Sequence, residues 1–290
     1  MKYAKAIIPI AGPRHRDLPL QQITTGDGVI RHVVTLHVEE LLAANIEQVA
    51  LIVRPGTEIL FQDLKTRFGS SLVLIQQPEA RGFGDAVLCA ETWVDGEAFV
   101  LGVCDHIFVT HSNESCTRQL LDVAAREDCS VSGVQVTGES QLPYFGVIGG
   151  HRVRGLDHLY EVATVLEKPT PTVAEQQCVV PGLRQGTYLA FFGVHALTSS
   201  IFRHLRATQQ QLKPGESLGV SESLDLMLKH EKYLAFEVRG HRIDLEGPFG
   251  LLRAQLGLAL HGANREDVLR LMLEEVAHSD ASLSHVDCVR

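Results

Sequence analysis

Several features that mark other classes of protein are missing from this 290-residue sequence. No stretch approaches the roughly 20 apolar residues that a membrane helix needs. The N-terminal apolar run is too short for a secretory signal and leads straight into charged residues. The six cysteines include no C-x-x-C pair, so neither a disulfide framework nor a zinc site is indicated. These absences predict a cytoplasmic protein that does not bind membranes.

Positive charge is also scarce. The chain has 26 lysines and arginines against 35 aspartates and glutamates, which gives a net charge of −9 and argues against nucleic-acid binding. It has no Walker A sequence, and a Rossmann fingerprint would need a second glycine at position 14, which is Arg14. Any anionic ligand must therefore be met by positive charge that is concentrated locally.

The apolar runs that are present follow the order of an α/β protein. Strand-like runs at 6–10, 48–53 and 72–76 alternate with helical patterns at 29–44 and 58–68. This order predicts a Rossmann-like fold with a mixed, mostly parallel sheet and helices on both faces. We expect one domain over residues 1–262 and a C-terminal helical appendage and tail over residues 263–290.

The first strand runs into a basic loop, KAIIPIAGPRHRDLP at residues 5–19. It stops at Ala11 and Gly12, and the cationic or potentially cationic side chains Arg14, His15 and Arg16 follow. A strand that ends in such a turn can present backbone N–H groups and guanidinium groups to a phosphate. An ordinary basic surface loop fits this stretch alone equally well.

Two aspartates, Asp105 and Asp244, each follow an apolar strand and stand in a turn-like setting. Carboxylates at strand ends can hold Mg²⁺ against nucleotide phosphates. Taken singly, each is as easily an ordinary turn aspartate.

Two further segments could border a ligand. Lys168 precedes Pro169, which predicts an extended backbone that either aims the ammonium group into a cleft or ends a strand at the surface. The Gly-Phe-Gly turn at residues 82–84 would let the backbone approach a flat ring or a phosphate closely.

Taken in chain order, these signals resemble the sugar-nucleotide pyrophosphorylase family. The order is a basic glycine loop, Gln then Gly-x-Gly, a strand-end Asp, Phe-Gly-Val, Glu-Lys-Pro, and a late Asp before Gly. The resemblance covers residues 5–261, and its best segments are 5–19, 77–90, 144–147, 165–169 and 240–259. It implies the nucleotide-diphospho-sugar transferase type of fold, and a reaction of a nucleoside triphosphate with a sugar 1-phosphate that needs Mg²⁺. UTP and glucose 1-phosphate are the implied pair.

The resemblance also implies roles for the residues that match. Arg16 would hold the departing pyrophosphate, Gln77 would read the uracil edge, and Lys168 would grip the sugar phosphate. The complete set is catalytic Arg16, Lys168 and Arg14, nucleotide-binding Ala11, Gly12, Gln77 and Gly82, sugar-binding Gly146, Glu167 and Gly193, and metal-binding Asp105 and Asp244. We expect a homo-oligomer.

The sequence departs from the family in its first loop. Arg14 replaces the second glycine of G-x-G-T-R, and residues 20–28 contain no lysine. The family's glutamate near the sugar aligns with Ser217, beside Glu216. Two interpretations follow. Either Arg14 supplies the missing charge to an active nucleotidyltransferase, or the chain is a sugar-nucleotide-binding or regulatory protein that has lost turnover.

Arg14→Gly separates these two interpretations. In an active enzyme the variant removes a charge that a developing pyrophosphate needs, so turnover should fall. In a binding-only protein Arg14 is an obstruction, so the variant should improve nucleotide affinity and leave the negligible turnover unchanged or raise it. Pyrophosphate release and nucleotide affinity, measured for Arg14→Gly and the wild type side by side, distinguish the two interpretations. A variant faster than the wild type would contradict a compensating catalytic role for Arg14.

Overall fold

A computed structural model describes residues 1–12 and 17–286. Within these residues a nine-stranded sheet forms the centre, flanked by two small two-stranded sheets. The strands are β1 (Lys5–Pro9), β2 (Gln22–Thr24), β3 (Ile30–His32), β4 (Gln48–Val53), β5 (Leu72–Gln76), β6 (Phe99–Gly102), β7 (His106–Thr110), β8 (Ser130–Gly138), β9 (Gly146–Arg152), β10 (Leu159–Glu167), β11 (Thr187–Leu197), β12 (Tyr233–Glu237) and β13 (Gly240–Asp244).

The same part of the chain contains ten α-helices, none of which has an apolar stretch long enough to cross a membrane. They are α1 (Val33–Ala43), α2 (Gln62–Phe68), α3 (Phe83–Leu88), α4 (Glu91–Val94), α5 (Cys116–Glu127), α6 (Pro171–Gln177), α7 (Ile201–Gln211), α8 (Ser221–Met227), α9 (Gly250–Leu260) and α10 (Arg265–Val286).

Apolar residues of the central strands are buried on both faces of the large sheet. On β1, Ile8 belongs to one core cluster and Ile7 to another, because successive side chains of a strand point to opposite faces. Helices α1 and α5 contribute to the first cluster, and α3, α7 and α8 contribute to the second. The predicted α/β architecture with helices on both faces is confirmed.

The large sheet has the order β5-β4-β1-β6-β11-β8-β12-β10-β9 and is mixed. The pairs among β5, β4, β1 and β6 are parallel, as is β8 with β12, while the remaining pairs are antiparallel. The prediction of a mostly parallel sheet therefore holds for its first part and not for the whole. The β9–β10 pair shows why: residues 153–158 are the whole connection between these two strands, which is too short for a parallel pair. A parallel crossover needs a dozen residues or more.

The C-terminal helices pack onto the body of the protein through close backbone contact. A Cβ atom on Gly262, just after α9, would lie 2.1 Å from the carbonyl oxygen of Gly26 in the β2–β3 connection. Helix α10 then packs against α9. A boundary between residues 262 and 263 falls in the connection between these two helices and stays a prediction.

The loop before α3 is tied to the segment before α8 by backbone hydrogen bonds. Leu218 N–H donates to the Arg81 carbonyl, and Gly84 N–H donates to the Leu218 carbonyl, both at 2.8 Å. Gly82 has φ 118° and ψ 172°, and a Cβ atom there would lie 2.3 Å from the Leu218 oxygen. Glycine is therefore required at this position for both conformation and space.

Gly82→Ala should destabilise the protein more than Gly96→Ala does. Gly96 also has a positive φ, of 77°, but a Cβ atom there meets nothing within 4 Å, so this control isolates the cost of conformation. We expect a loss of about 1 kcal/mol for Gly96→Ala and about 2–3 kcal/mol for Gly82→Ala. Chemical denaturation measures both, and equal losses would show that the contact with Leu218 does not constrain Gly82.

Candidate active site

A cleft of about 400 Å³ opens where β1 and β6 end, between the start of β9, the end of β10 and the segment that leads into α8. Ligands of open α/β sheets bind beyond the carboxyl ends of the strands, and this cleft occupies that position. Its wall contains five of the residues predicted from the sequence: Asp105, Gly146, Glu167, Lys168 and Gly193.

One end of the cleft carries Asp105, directly before β7. Its Oδ1 is buried and accepts no hydrogen bond from residues 1–12 or 17–286, and His106 Nδ1 lies 3.4 Å away. β13 runs antiparallel to β7 with Asp244 opposite His106, and Leu245 N–H donates to the Asp105 carbonyl at 2.8 Å. The pairing therefore brings both predicted carboxylates to one end of this ladder, although only Asp105 lines the cleft as described.

Asp105 and Asp244 stay the predicted ligands of a magnesium ion that a substrate would share. No group of three or more His, Cys, Asp or Glu side chains in residues 1–12 and 17–286 is arranged to hold a metal. In nucleotide sites, however, Mg²⁺ is held by one or two carboxylates together with substrate phosphates. Within the part of the chain that the structure describes, the buried Asp105 Oδ1 accepts no hydrogen bond, as expected of an oxygen that binds a cation. Asp244 Oδ1 accepts a 2.8 Å hydrogen bond from Glu246 N–H, which orients its carboxylate.

Glu167 and Lys168 form the facing wall at the end of β10. Glu167 pairs with Gly146 in the β9–β10 ladder, and Ser221 Oγ donates to Glu167 Oε2 at 2.6 Å. The Lys168 ammonium group lies 3.7 Å from Glu167 Oε1 and remains half exposed. A Cβ atom on Gly146 would lie 2.7 Å from the Phe191 ring and 3.0 Å from Glu167 Oε2. The glycine therefore leaves the room that the carboxylate occupies.

The backbone of Lys168 is not extended, so the prediction made from its neighbour Pro169 is wrong. Its φ is +44°, in the left-handed region that residues with a side chain rarely adopt. Lys168 N–H donates to the Phe145 carbonyl at 3.2 Å, which continues the β9–β10 pairing and holds this conformation. Backbone strain of this kind, about 1–3 kcal/mol, concentrates at functional sites.

Gly193 lies on β11, where the pairing with β8 shifts register between Phe191 and His195. Its φ is 103°, and a Cβ atom there would lie 2.9 Å from His106 Nδ1. The glycine allows β11 to approach the Asp105 end of the cleft, and its carbonyl accepts a 3.0 Å hydrogen bond from Val103 N–H.

Comparison with known proteins bears on what this cleft does. A family model described as "Nucleotidyl transferase" matches residues 13–245. The chain belongs to the nucleotidyl transferase family. It is 26% identical to UTP–glucose-1-phosphate uridylyltransferase 2 of Streptococcus pyogenes serotype M3, with 93% of this chain and 94% of that protein covered. It is also 26% identical to the UTP–glucose-1-phosphate uridylyltransferase of Streptococcus pneumoniae serotype 4, over 94% of this chain and 96% of that one.

Solved structures give the same picture of the fold. A UTP-bound UGPase from Acinetobacter baumannii superposes with a TM-score of 0.73 at 19% identity, over 94% of this chain and 99% of that one. A UDP-glucose pyrophosphorylase in complex with UDP-glucose gives a TM-score of 0.70 at 20% identity, over 88% of this chain and 97% of that one. At 19–20% sequence identity, these structures support the fold of this nucleotidyl transferase and nothing more.

The predicted nucleotide-binding residues of this nucleotidyl transferase are not themselves part of the cleft wall as described. The carbonyl oxygens of Ala11 and Gly12 accept hydrogen bonds from the Arg54 guanidinium group at the end of β4. Arg14 and Arg16, the predicted catalytic arginines, lie outside the described residues. The assignments on this loop stay predictions.

Gln77 is buried after β5. Its Nε2 donates to Asp85 Oδ2 at 2.8 Å and to the Gly82 carbonyl at 3.1 Å, so here the amide holds the turn that leads into α3. Gly82 in turn packs against the Leu218 backbone. Roles for Gln77 and Gly82 toward a base also stay predictions.

Sequence reasoning missed a buried cation behind the cleft. The Arg242 guanidinium group lies 3.7 Å above the centroid of the Phe145 ring, which lines the cleft. Burial lowers the pKa of Arg242 to about 10, so the side chain stays charged at neutral pH. One residue, Ile243, separates it from Asp244 in the chain, and that proximity is the one signal that could have directed attention to it. His195, which also lines the cleft, gave no sequence signal.

Asp105→Asn and Asp244→Asn should each lower magnesium-dependent turnover by at least about 100-fold, since a bound metal supplies several kcal/mol of charge stabilisation. Asp122→Asn is the matched control, because this exposed aspartate pairs with Arg118 on α5, away from the cleft. Turnover is measured across a magnesium titration, and thermal unfolding shows whether each variant is folded. A folded Asp105 or Asp244 variant with the wild-type rate would remove that residue from the metal site.

Proposed function

We propose that this nucleotidyl transferase makes UDP-glucose and pyrophosphate from UTP and glucose 1-phosphate. The observation that carries the proposal is one cleft bordered by a carboxylate, Asp105, whose buried Oδ1 has no hydrogen-bond partner among the described residues, and by the ammonium group of Lys168, whose backbone is strained. These are the two kinds of charge that a phosphoryl-transfer site needs. The names of the curated relatives favour UTP and glucose 1-phosphate as the pair.

The chemistry is an in-line displacement at phosphorus. A phosphate oxygen of glucose 1-phosphate attacks the α-phosphorus of UTP and forms a new P–O bond, while the bond from the α-phosphorus to the bridging oxygen breaks and its electron pair leaves with pyrophosphate. The attacking oxygen is already anionic, so no side chain has to remove a proton. The protein contributes positioning and neutralisation of charge.

The residues divide this work between them. Lys168 binds the sugar phosphate and holds its oxygen toward the α-phosphorus, and Glu167 orients Lys168 and is itself fixed by Ser221. Asp105 and Asp244 would hold Mg²⁺, which would supply positive charge to the phosphates. Arg14 and Arg16 remain the proposed cations for the departing pyrophosphate, with Gln77 as the proposed reader of uracil.

Further expectations accompany this proposal: a cytoplasmic location, assembly into a homo-oligomer, and no binding of nucleic acid. The product would feed nucleotide-sugar biosynthesis.

Pyrophosphate release, measured across a panel of nucleoside triphosphates and sugar 1-phosphates with Mg²⁺, tests the proposal. UTP with glucose 1-phosphate should be the fastest pair, and mass spectrometry should find UDP-glucose in equal amount. A different preferred pair would correct the substrates. Binding of UTP and glucose 1-phosphate without release from any pair would favour the binding-only interpretation.

Lys168→Ala should weaken glucose 1-phosphate binding about 10- to 150-fold, because a charge-assisted hydrogen bond contributes about 1.5–3 kcal/mol. UTP binding should change little. The control is Lys229→Ala, since Lys229 pairs with Asp225 on α8 and does not line the cleft. Calorimetric titration with each ligand separates the two affinities. Equal weakening of both ligands, or of neither, would contradict a contact between Lys168 and the sugar phosphate.

A further inference from the structure

His195 is a buried polar residue in the cleft wall that the proposed mechanism leaves unused. It lies on β11 with 6% of its surface exposed. Its Nδ1 lies 2.5 Å from Ser132 Oγ on β8, and this hydroxyl lies 2.6 Å from the Tyr233 hydroxyl on β12. Three neighbouring strands thus carry a line of hydrogen bonds from inside the sheet to the cleft.

The direction of these hydrogen bonds follows from the Tyr233 end. Tyr233 is fully enclosed, and Ser132 Oγ is its hydroxyl's hydrogen-bond partner among the described residues. The tyrosine proton is therefore satisfied only by donation to Ser132 Oγ, because a buried donor without an acceptor is costly. Ser132 then donates its own proton to His195 Nδ1.

This arrangement fixes the tautomer of His195. Burial lowers the pKa of His195 to about 4, so the ring is neutral at pH 7 and carries one proton. Because Nδ1 accepts from Ser132, that proton is on Nε2. Ser132 and Tyr233 thus keep the His195 imidazole in the tautomer that can donate a hydrogen bond from Nε2.

The Nε2 atom is the ring nitrogen left for a ligand. Nδ1 is bonded to Ser132, and Nε2 has no hydrogen-bond partner among residues 1–12 and 17–286. The space that His195 borders is the cleft.

We propose that His195 is a specificity-determining residue that donates a hydrogen bond from Nε2 to a hydroxyl group of the sugar. The inference rests on the proposed function. On the β6–β11 ladder His195 stands opposite Leu101, deeper than Val103 and Asp105 at the strand end, where the phosphate chemistry takes place. A neutral donor at this depth matches a sugar hydroxyl, whereas a phosphate is matched by Lys168.

The wall around His195 supports this assignment. The Phe191 ring meets the imidazole edge-on, with 4.9 Å between centroids, and Gly193 adds no side chain between them. A flat apolar ring beside one fixed donor is a common way to bind a sugar, because it offers both an apolar face and a hydrogen bond. A site built to donate to a hydroxyl also disfavours a substrate without it, since the donor is then left unpaired.

The tautomer can be tested without any substrate. Long-range ¹H–¹⁵N correlation spectra at pH 7 should show one imidazole with the proton on Nε2 that disappears in His195→Gln. Ser132→Ala should perturb this signal, because it removes the donor to Nδ1. A proton on Nδ1 of His195 in the wild type would overturn the inference.

Kinetics with modified sugars tests the contact itself. His195→Leu should raise KM for glucose 1-phosphate about 3- to 10-fold, the effect of one neutral hydrogen bond, and leave KM for UTP unchanged. His195→Gln keeps an N–H donor and should recover most of the loss. With the wild type, one monodeoxy glucose 1-phosphate should have a KM about 3- to 10-fold higher than that of glucose 1-phosphate. With His195→Leu, the KM values of that analogue and of glucose 1-phosphate should be the same. An equal penalty on every deoxy analogue would overturn the inference and indicate a structural role or a contact with phosphate.

The outcomes separate this inference from the proposed function. Absence of pyrophosphate release from the wild type contradicts the proposed function. If the wild type releases no pyrophosphate, calorimetric titration with glucose 1-phosphate still tests the role of His195. A folded His195→Leu variant with wild-type affinity for glucose 1-phosphate would contradict that role without contradicting the proposed function.

Discussion

The antiparallel pairing of β7 with β13 is the constraint on which the candidate site depends. It places Asp244 opposite His106 and joins Leu245 N–H to the Asp105 carbonyl at 2.8 Å. Gly240 permits this pairing, because a Cβ atom there would lie 2.5 Å from the Val109 oxygen. Without this ladder the late aspartate would have no reason to lie near the earlier one, and a two-carboxylate magnesium site could not form.

Glycines then bring the other walls of the cleft to this end of the ladder. Gly193 brings β11 against His106, and Gly146 leaves space for the Glu167 carboxylate. Each glycine is needed because an adjacent side chain occupies the volume of its missing Cβ. The result is a cleft with an anionic end, a cationic wall and, at His195, a neutral donor. In the proposed function the substrate would meet each kind of group in a fixed place, and phosphoryl transfer depends mainly on such positioning.

Much of the fold could be predicted from the sequence where its determinants are local. Continuous apolar runs identify β1, β4 and β5, and the alternation with helices gives the α/β class. Strand direction in the second part of the sheet could not be predicted this way, because periodicity is the same for parallel and antiparallel strands. Lys168 shows a related limit, since its neighbour Pro169 favours an extended backbone while pairing with Phe145 holds a left-handed one.

The residues of the candidate site fall into the same two groups, those with a local signal in the sequence and those that depend on non-local contacts. The place of Asp105 and Lys168 in the cleft wall could be predicted because each follows a strand within a recognisable motif, while the roles that the family resemblance implies for them stay predictions. Arg242 and His195 could not, because what makes each notable is a partner far away in the chain, Phe145 in one case and Ser132 in the other. A single sequence does not show which residues non-local strand pairing will bring together.

The central claim is that the Asp105–Asp244 end and the Lys168 wall hold the phosphates of one ligand. A crystal structure of the protein with UDP-glucose and Mg²⁺ tests it most directly. We expect a magnesium ion bound to both aspartates and to a phosphate oxygen, with the Lys168 ammonium group on the phosphate that bears the glucose. A diphosphate bound elsewhere, or metal bound without either aspartate, would contradict it.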